Sequence, residues 1–142
     1  MPVLTAQFQN EIPSDRKRRY MRTAVRVSTE NGLAFATTRI WTRQPVIGFH
    51  GAVTVLASDD TGKIFDFTEP KGWAVDGFRI PFRADDRTVH WTDLMDPARI
   101  GAATRLEIFH THMPLSQLRK ILDDIAAVGG TVGSVGTAIS AI

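Results

Sequence analysis

The sequence predicts an antiparallel β-sandwich of about seven to nine strands that ends in one C-terminal amphipathic α-helix. Two observations indicate this fold class. From Tyr20 to His112, apolar residues mostly alternate with polar ones and turn-forming residues recur, which is typical of half-buried antiparallel strands. From Pro114 to Val128, the apolar spacing changes to that of a helix with one buried face.

Length and composition are those of one folded domain. The chain has 142 residues, of which 43% are hydrophobic and 23% are charged, as in ordinary globular proteins. It contains no cysteine, which excludes disulfides, thiolate nucleophiles and cysteine-bound zinc but leaves the redox compartment open. We therefore expect a single β-sandwich domain over 1–142, with a basic N-terminal arm over 1–19, a helix over 114–128 and a glycine-rich apolar segment over 129–142.

The first residues of the chain contain no apolar stretch behind a positive start, so no secretory signal peptide is predicted. Cytoplasmic residence is the default expectation. Export by a signal-independent route is its alternative.

Basic residues are concentrated near the beginning of the chain. The formal net charge is only +2, yet the stretch from Arg16 to Arg26 contains six of the 17 lysine and arginine residues without an acid among them. This distribution indicates either a solvated arm and sheet surface or a patch that attracts anions.

The first hairpin is expected to turn at Asn31-Gly32, because both central residues of a type I′ turn take positive φ. This turn places Glu30 opposite Leu33. Alternate residues of a strand lie on the same side, so one face of the hairpin is buried and the other meets solvent. The residues expected on the buried face are Met21, Val25, Val27, Ala34, Ala36 and Ile40.

The outward face of this hairpin is the main candidate binding surface. Arginines and aromatic rings lie together there, which suits anionic or sugar ligands, since guanidinium groups pair with anions and flat rings stack. The alternative is that Arg22 over Trp41 and Arg43 over Tyr20 are cross-strand cation–π pairs that protect an exposed sheet. Phe35 belongs to the same face, and the predicted ligand-binding residues are Tyr20, Arg22, Arg26, Arg39, Trp41 and Arg43.

A second hairpin is predicted between Asp59 and Lys63, with Gly62 in the left-handed conformation of a bulge. Farther along, Asp76-Gly77 marks either a third hairpin or a bend in one strand, and Asp85 and Asp86 mark another turn. The register of the second hairpin is expected to place these residues on one face: Val53, Val55, Ala57, Phe65 and Phe67.

His110 and His112 are the predicted metal ligands. Alternate residues of a strand point to the same side, so the two imidazoles can share one ion. Their positions along the strand place both side chains inward. His50 and His90 are expected to face away from the core, so no third imidazole is expected near them. The alternative is that both are core-rim histidines bonded to neighbours.

The C-terminal segment is uncharged from Ile125 to Ile142. Its glycines and small polar residues suit a bilayer-spanning helix poorly. Gly129 is expected to end the preceding helix, and its spacing from Gly133 is that of close helix contacts. We expect a terminal strand or extended tail packed on its own domain, with a subunit interface as the second option and membrane insertion as the third.

The expected function is a non-enzymatic binding or interaction module that recognises an anionic or carbohydrate-type ligand through the basic and aromatic sheet face and self-associates as a homo-oligomer. Nucleic acid stays open as a ligand, a membrane partner is not expected, and no cofactor is predicted apart from the metal alternative. One rival is a metal-dependent enzyme that uses His110 and His112, joined on folding by His90, Asp93 or Asp96. Another is a structural assembly subunit joined through the C-terminal segment.

Overall fold

The computed structural model describes residues 3–12, 19–42, 49–75 and 86–140. Within these ranges the chain is mainly β, with two antiparallel sheets and a few short helices. The strands are β1 Val3–Glu11, β2 Arg19–Ser28, β3 Leu33–Thr42, β4 Phe49–Ser58, β5 Ile64–Phe67, β6 Lys71–Val75, β7 Asp86–Leu94 and β8 Arg105–Thr111. The helices are α1 Pro97–Ile100, α2 Leu115–Ala127 and α3 Val132–Ser140.

The first sheet has the order β1-β2-β3-β7 and is antiparallel throughout. Its strands bury alternate residues, as β2 does from Arg19 to Ser28, because one face packs on the core and the other meets solvent. The predicted buried set is confirmed, with exposures of 7% or less for Met21, Val25, Val27, Ala34, Ala36 and Ile40.

The turn between β2 and β3 is longer than predicted. The Gly32 amide donates to the Ser28 carbonyl at 2.8 Å, and Arg22 pairs with Arg39 instead of Trp41. The expected pairing of Glu30 with Leu33 is therefore wrong. Every other outward pair expected from it is also wrong by two residues. These expected pairs include Ser28 with Phe35, Arg26 with Thr37, Ala24 with Arg39 and Tyr20 with Arg43. Because the displacement is even, each side chain keeps its predicted face.

A contact from a distant segment accompanies this longer turn. Gly32 has φ +78 and its carbonyl accepts from the Met95 amide at 2.8 Å. A Cβ atom on Gly32 would lie only 2.0 Å from the Met95 carbonyl oxygen. The turn is thus packed against the segment after β7, a neighbour that the local sequence does not indicate.

Residues 3–11 are a strand and not part of a free arm. β1 pairs with β2 along its whole length, from Val3 opposite Ser28 to Glu11 opposite Tyr20. Leu4 and Ala6 pack against the hydrophobic core, and these contacts hold the weakly apolar strand β1 on the domain. The arm expected over 1–19 is therefore wrong for this part, and residues 13–18 lie outside the described ranges.

The second sheet is built around β4, with β8 on one side and β5 and β6 on the other. One face of β4 shares a core with the first sheet through Val53 and Val55. Its other face, at Ala52 and Leu56, packs under α2 and α3. Residues 51–58 are all buried because both faces of the strand are covered.

The second hairpin turns where the sequence predicts, with Gly62 at φ +88 and the Asp59 amide donating to the Lys63 carbonyl at 3.1 Å. A register shift between Ala57 and Ser58 then separates the two phenylalanines. Phe65 packs on the core cluster that contains Val53 and Val55, whereas Phe67 packs on the helical side, so their expected common face is wrong. The turn expected at 76–77 and residue 85 of the next expected turn fall outside the described residues. Asp86, the second residue of that expected turn, is instead the first residue of β7.

The predicted helix over 114–128 is observed as α2. Pro114 is its N-cap, and Gly129 at φ +67 follows its C-terminus. The Gly130 amide donates to the Ile125 carbonyl at 2.8 Å and the Gly129 amide to the Ala126 carbonyl at 3.2 Å, the pair of bonds that ends many helices at glycine.

The expected terminal strand or extended tail is wrong, because residues 132–140 form α3. The chain reverses at Gly129, and the Thr131 hydroxyl accepts from the Ser134 amide at 3.2 Å to start the new helix. Val135 and Ile139 are then buried against the second sheet. Among the described helices, none has the length and apolar character needed to cross a bilayer.

Candidate ligand-binding face

The outer face of the first sheet is organised in transverse rows, since its four strands are paired side by side. Each row is named here for its β3 residue. From one end to the other, the Phe35 row is Thr5, Arg26, Phe35 and Thr92; the Thr37 row is Gln7, Ala24, Thr37 and His90; the Arg39 row is Gln9, Arg22, Arg39 and Thr88; and the Trp41 row is Glu11, Tyr20, Trp41 and Asp86.

An open groove of about 930 Å³ follows the first two of these rows. Ala24 and Thr37 have short side chains, while Arg26 and Phe35 beside them are long, so the surface is lowered between β2 and β3. Among the described residues, the lining contains one arginine, one histidine and no carboxylate. The groove is therefore a site with a positive group and no negative one.

Phe35 and Arg26 lie directly opposite each other on neighbouring strands, a pairing that brings Cβ atoms to about 5 Å. The Phe35 side chain is 49% exposed, although large apolar residues usually avoid solvent. Arg26 is also exposed, and its side chain forms no ion pair or hydrogen bond with the described residues. An open ring and an uncommitted cation thus stand side by side.

Neutral polar groups surround this pair. Thr5 and Thr92 complete the Phe35 row, and Gln7 lies in the next row. His90 Nδ1 lies 2.9 Å from the Thr37 hydroxyl oxygen, which orients the exposed imidazole. The groove therefore offers several hydrogen-bonding groups to a ligand placed over the ring.

The Trp41 row is closed by its own side chains. Tyr20 and Trp41 stack with ring centroids 5.4 Å apart, and the Arg39 guanidinium lies 4.1 Å from the Trp41 ring centroid. Trp41 is consequently only 8% exposed although it points outward. The expected cation–π pair of Arg22 with Trp41 is wrong, because the guanidinium over the Trp41 ring belongs to Arg39, which lies on β3 with Trp41.

Besides its contact with Trp41, Arg39 forms an ion pair with Asp86. Its Nη2 atom lies 2.6 Å from Asp86 Oδ2 and its Nε atom 3.0 Å from Oδ1. The hydrogen bonds from the guanidinium lower the pKa of the Asp86 carboxyl, and the same bonds raise the pKa of Arg39. Both groups stay ionised, so this cation is already matched by an anion of the protein.

The other predicted site residues divide between these environments. Arg22 Nε donates to the Gln7 amide oxygen at 2.9 Å when that amide is oriented to satisfy both groups. Arg43 lies outside the described residues. Of the five predicted residues that the structure describes, Arg26 alone lines the groove. The groove residues that sequence reasoning missed include Ala24 on β2, Thr37 on β3 and residues of β1 and β7. No local signal tells which strands flank a hairpin.

His110 points inward, as its parity predicts, and is 3% exposed. Its Nε2 atom lies 2.8 Å from the Thr23 hydroxyl oxygen and its Nδ1 atom 2.7 Å from Asn10 Oδ1. Thr23 lies 2.9 Å from Thr38, whose oxygen accepts from Trp91 Nε1 at 3.0 Å. A continuous chain of hydrogen bonds therefore runs through the core.

The groups at the two ends of this series of hydrogen bonds determine which group donates in each bond. The Asn10 oxygen can only accept, so His110 Nδ1 carries the proton and Nε2 accepts from Thr23. Thr23 then accepts from Thr38, as Thr38 accepts from Trp91. Burial lowers the pKa of His110 to about 4, which agrees with a neutral imidazole.

This arrangement is not suited to catalysis or to metal binding. Thr23, His110 and Asn10 are hydrogen-bonded in the order of a nucleophile, a base and an orienting group. Thr23 is 0% exposed, however, so its hydroxyl group is not accessible to a substrate. Both nitrogens of His110 are occupied, so a metal ion would have to displace a hydrogen bond. His112 is half-buried, and its Nδ1 atom has no partner among the described residues.

The remaining residues of the enzyme alternative lie elsewhere. His90 is on the outer face of the first sheet, whereas His110 lies in the core. Asp93 accepts from the Glu69 amide and Asp96 from the Ala98 amide, so both carboxylates are bonded to backbone amides. Within the described ranges, no group of three or more potential ligand side chains is placed to hold a metal ion.

Comparisons with models of known protein families, with curated proteins and with solved structures found no match to this chain.

Proposed function

We propose that the protein is a non-enzymatic binding module that receives an anionic or carbohydrate-type ligand in the groove over the Phe35 and Thr37 rows. The observation that carries the proposal is the exposed Phe35 ring beside Arg26 in a lining without a carboxylate. A ring in solvent costs free energy unless a ligand covers it, and the neighbouring cation attracts a negative group.

The proposal includes the arrangement of the sheets. Strands β1 to β8 form an eight-stranded β-sandwich, with α2 and α3 as a further layer on the second sheet. The core that draws Val25 from β2 and Val55 from β4 supports this arrangement. The described helices α2 and α3 then cover the outer side of the second sheet, and the groove lies on the outer side of the first sheet.

Binding is favoured over catalysis by the types of side chain in the groove. Threonine, glutamine and one arginine hold a ligand through hydrogen bonds and charge, but they do not make a general acid and base pair. His90 is bonded to a hydroxyl group, and no carboxylate in the described lining orients it as a base.

The self-association predicted from the sequence stays a prediction. Its expected route through 129–142 loses support, because α3 places Val135 and Ile139 in the core of its own chain. Light scattering on the full chain over a range of concentrations measures it directly. A constant monomer mass would contradict it.

A ligand array tests the binding proposal. Polyanions, neutral oligosaccharides and oligonucleotides are immobilised, and retention of the wild-type protein is compared with that of Arg26→Gln and Phe35→Ala at low and high salt. Lys120→Gln, an exposed cation on α2, and Phe8→Ala, an exposed ring outside this groove, are the matched controls. We expect at least one ligand class to be retained by wild type and controls and lost by the groove variants. Equal retention of all five proteins, or no retention, would contradict the proposal.

A further inference from the structure

We infer that the ligand of this groove is an acidic oligosaccharide, a short chain of sugar rings that carries a carboxylate or sulfate group. The inference rests on the proposed function of the groove and narrows it to one class. It follows from three properties of the outer face: how many of its cations are uncommitted, which neutral groups surround Phe35, and how far the groove extends.

The first property is the supply of positive charge. Arg39 is paired with Asp86, and Arg22 is bonded to the Gln7 amide. Arg26 is the described arginine of this face whose side chain has no such partner. A single-stranded nucleic acid carries a phosphate on every nucleotide and is usually held by a track of cations and several stacked rings. One arginine and one open ring suit a ligand with sparse charge.

The second property is the neutral lining around Phe35. Thr5 and Thr92 supply hydroxyl groups that both donate and accept hydrogen bonds, and Gln7 supplies an amide NH2 group that donates. A sugar ring presents hydroxyl groups at its edge and apolar C–H groups on its face. The Phe35 ring can therefore cover the face while these side chains bond to the edge.

The third property is the length of the groove. Its Phe35 row crosses all four strands of the sheet, from Thr5 on β1 to Thr92 on β7. Three interstrand spacings amount to about 14 Å. This length accommodates more than one sugar ring, so the ligand is an oligosaccharide and not a single sugar.

Arg26 explains why the sugar should be acidic. A neutral sugar stacked on Phe35 would remove water from the neighbouring guanidinium without giving it a partner, which costs free energy. A carboxylate or sulfate at the same place forms charge-assisted hydrogen bonds, in the two-pronged geometry that guanidinium favours. The groove therefore discriminates between acidic and neutral sugars of the same size.

Titration calorimetry with four probes tests the inference. The probes are an oligogalacturonate, a heparin-derived tetrasaccharide, neutral maltotetraose and an oligo-dT of similar length. We expect one or both acidic sugars to bind about tenfold or more tightly than maltotetraose, as one charge-assisted hydrogen bond implies. The preferred acidic probe shows whether carboxylate or sulfate is the natural group.

Variants assign the effect to single side chains. Arg26→Gln should reduce binding of the acidic sugar to the level of maltotetraose, with a shallower salt dependence. Phe35→Ala should weaken binding of every sugar, and Phe35→Trp should restore it, because a ring is kept. Lys120→Gln should change neither. Thermal unfolding confirms that each exposed substitution leaves the fold intact.

The inference and the proposed function fail separately. Two results would overturn the acidic oligosaccharide as the ligand: maltotetraose binds as tightly as the acidic sugars, or oligo-dT binds more tightly than any sugar. If Phe35→Ala weakens the binding in either case, the groove remains the binding site. If no probe binds, or Phe35→Ala leaves all binding unchanged, both are overturned.

Discussion

His110 Nε2 lies 2.8 Å from the Thr23 hydroxyl oxygen, although the two residues belong to different sheets and are 87 positions apart. Through this bond a neutral imidazole and a hydroxyl group satisfy each other in the core, where an unpaired polar group costs on the order of 1–3 kcal/mol. The bond also defines how β8 and β2 face each other. Several properties of the protein should depend on it and on the turns and helices that surround it.

Acid should destabilise the protein through His110. Its pKa is lowered by burial from 6.5 to about 4, so the unfolded chain binds more protons than the folded chain between these values. The free energy of unfolding should therefore fall as the pH drops through this window, by about 3 kcal/mol in total. Urea denaturation at a series of pH values measures the slope. His110→Gln should flatten it between pH 6.5 and 4, and an unchanged slope would assign the effect to other groups.

Thr23→Val should cost about 1–3 kcal/mol of stability although it preserves the shape of the side chain. The substitution leaves His110 Nε2 and the Thr38 hydroxyl without their shared partner in the core. Thr92→Val, at an exposed position of the same sheet, is the control and should stay within about 0.5 kcal/mol. Equal midpoints of urea denaturation for the two variants would contradict the proposed chain of hydrogen bonds.

Gly32→Ala should destabilise the protein more than Gly129→Ala. Both glycines have positive φ, which disfavours alanine by about 1–2 kcal/mol. A Cβ atom at Gly32 would in addition lie 2.0 Å from the Met95 carbonyl oxygen, whereas nothing lies within 4 Å of one at Gly129. We expect a loss on the order of 3 kcal/mol or more for Gly32→Ala. Similar melting temperatures would mean that Met95 moves away at little cost.

Val135→Ala should reveal that α3 belongs to the folded unit. Val135 is 0% exposed between α3 and the second sheet, so its truncation leaves a cavity and should cost about 2 kcal/mol. Val128→Ala is the matched control, because Val128 is 81% exposed and its loss should stay within about 0.5 kcal/mol. If chemical denaturation gave equal stabilities, α3 would not be packed as described.

Local patterns in the sequence predicted the elements that local forces shape. Alternation identified the buried faces of β2 and β3, since the period of a strand is two whatever its partner. Gly62 and Gly129 marked real turns because each requires positive φ. The helix at Leu115–Ala127 followed from its apolar spacing.

The candidate site could be predicted only in part. The sequence placed Arg26 and Phe35 on an outward face, but it did not show that Arg39 is neutralised by Asp86 or that Trp41 is covered. The covering of Trp41 depends on the register of β2 and β3, which brings Tyr20 opposite Trp41. The ion pair depends on β7 lying beside β3, a pairing between residues far apart in the chain. Such pairings leave little trace in a single sequence, because any strand of suitable pattern can serve as a neighbour.

By itself the sequence determined which sides of β2 and β3 meet water, because that choice depends only on the order of apolar and polar residues. The tertiary structure decided the turn length at Gly32, which packs under Met95, and the helical state of 132–140, whose apolar residues found a sheet to cover. It also decided the groove, since Ala24 and Thr37 form its floor only when β1 and β7 flank them. Each of these outcomes requires a contact between distant segments, and its free energy is gained only when the chain has folded.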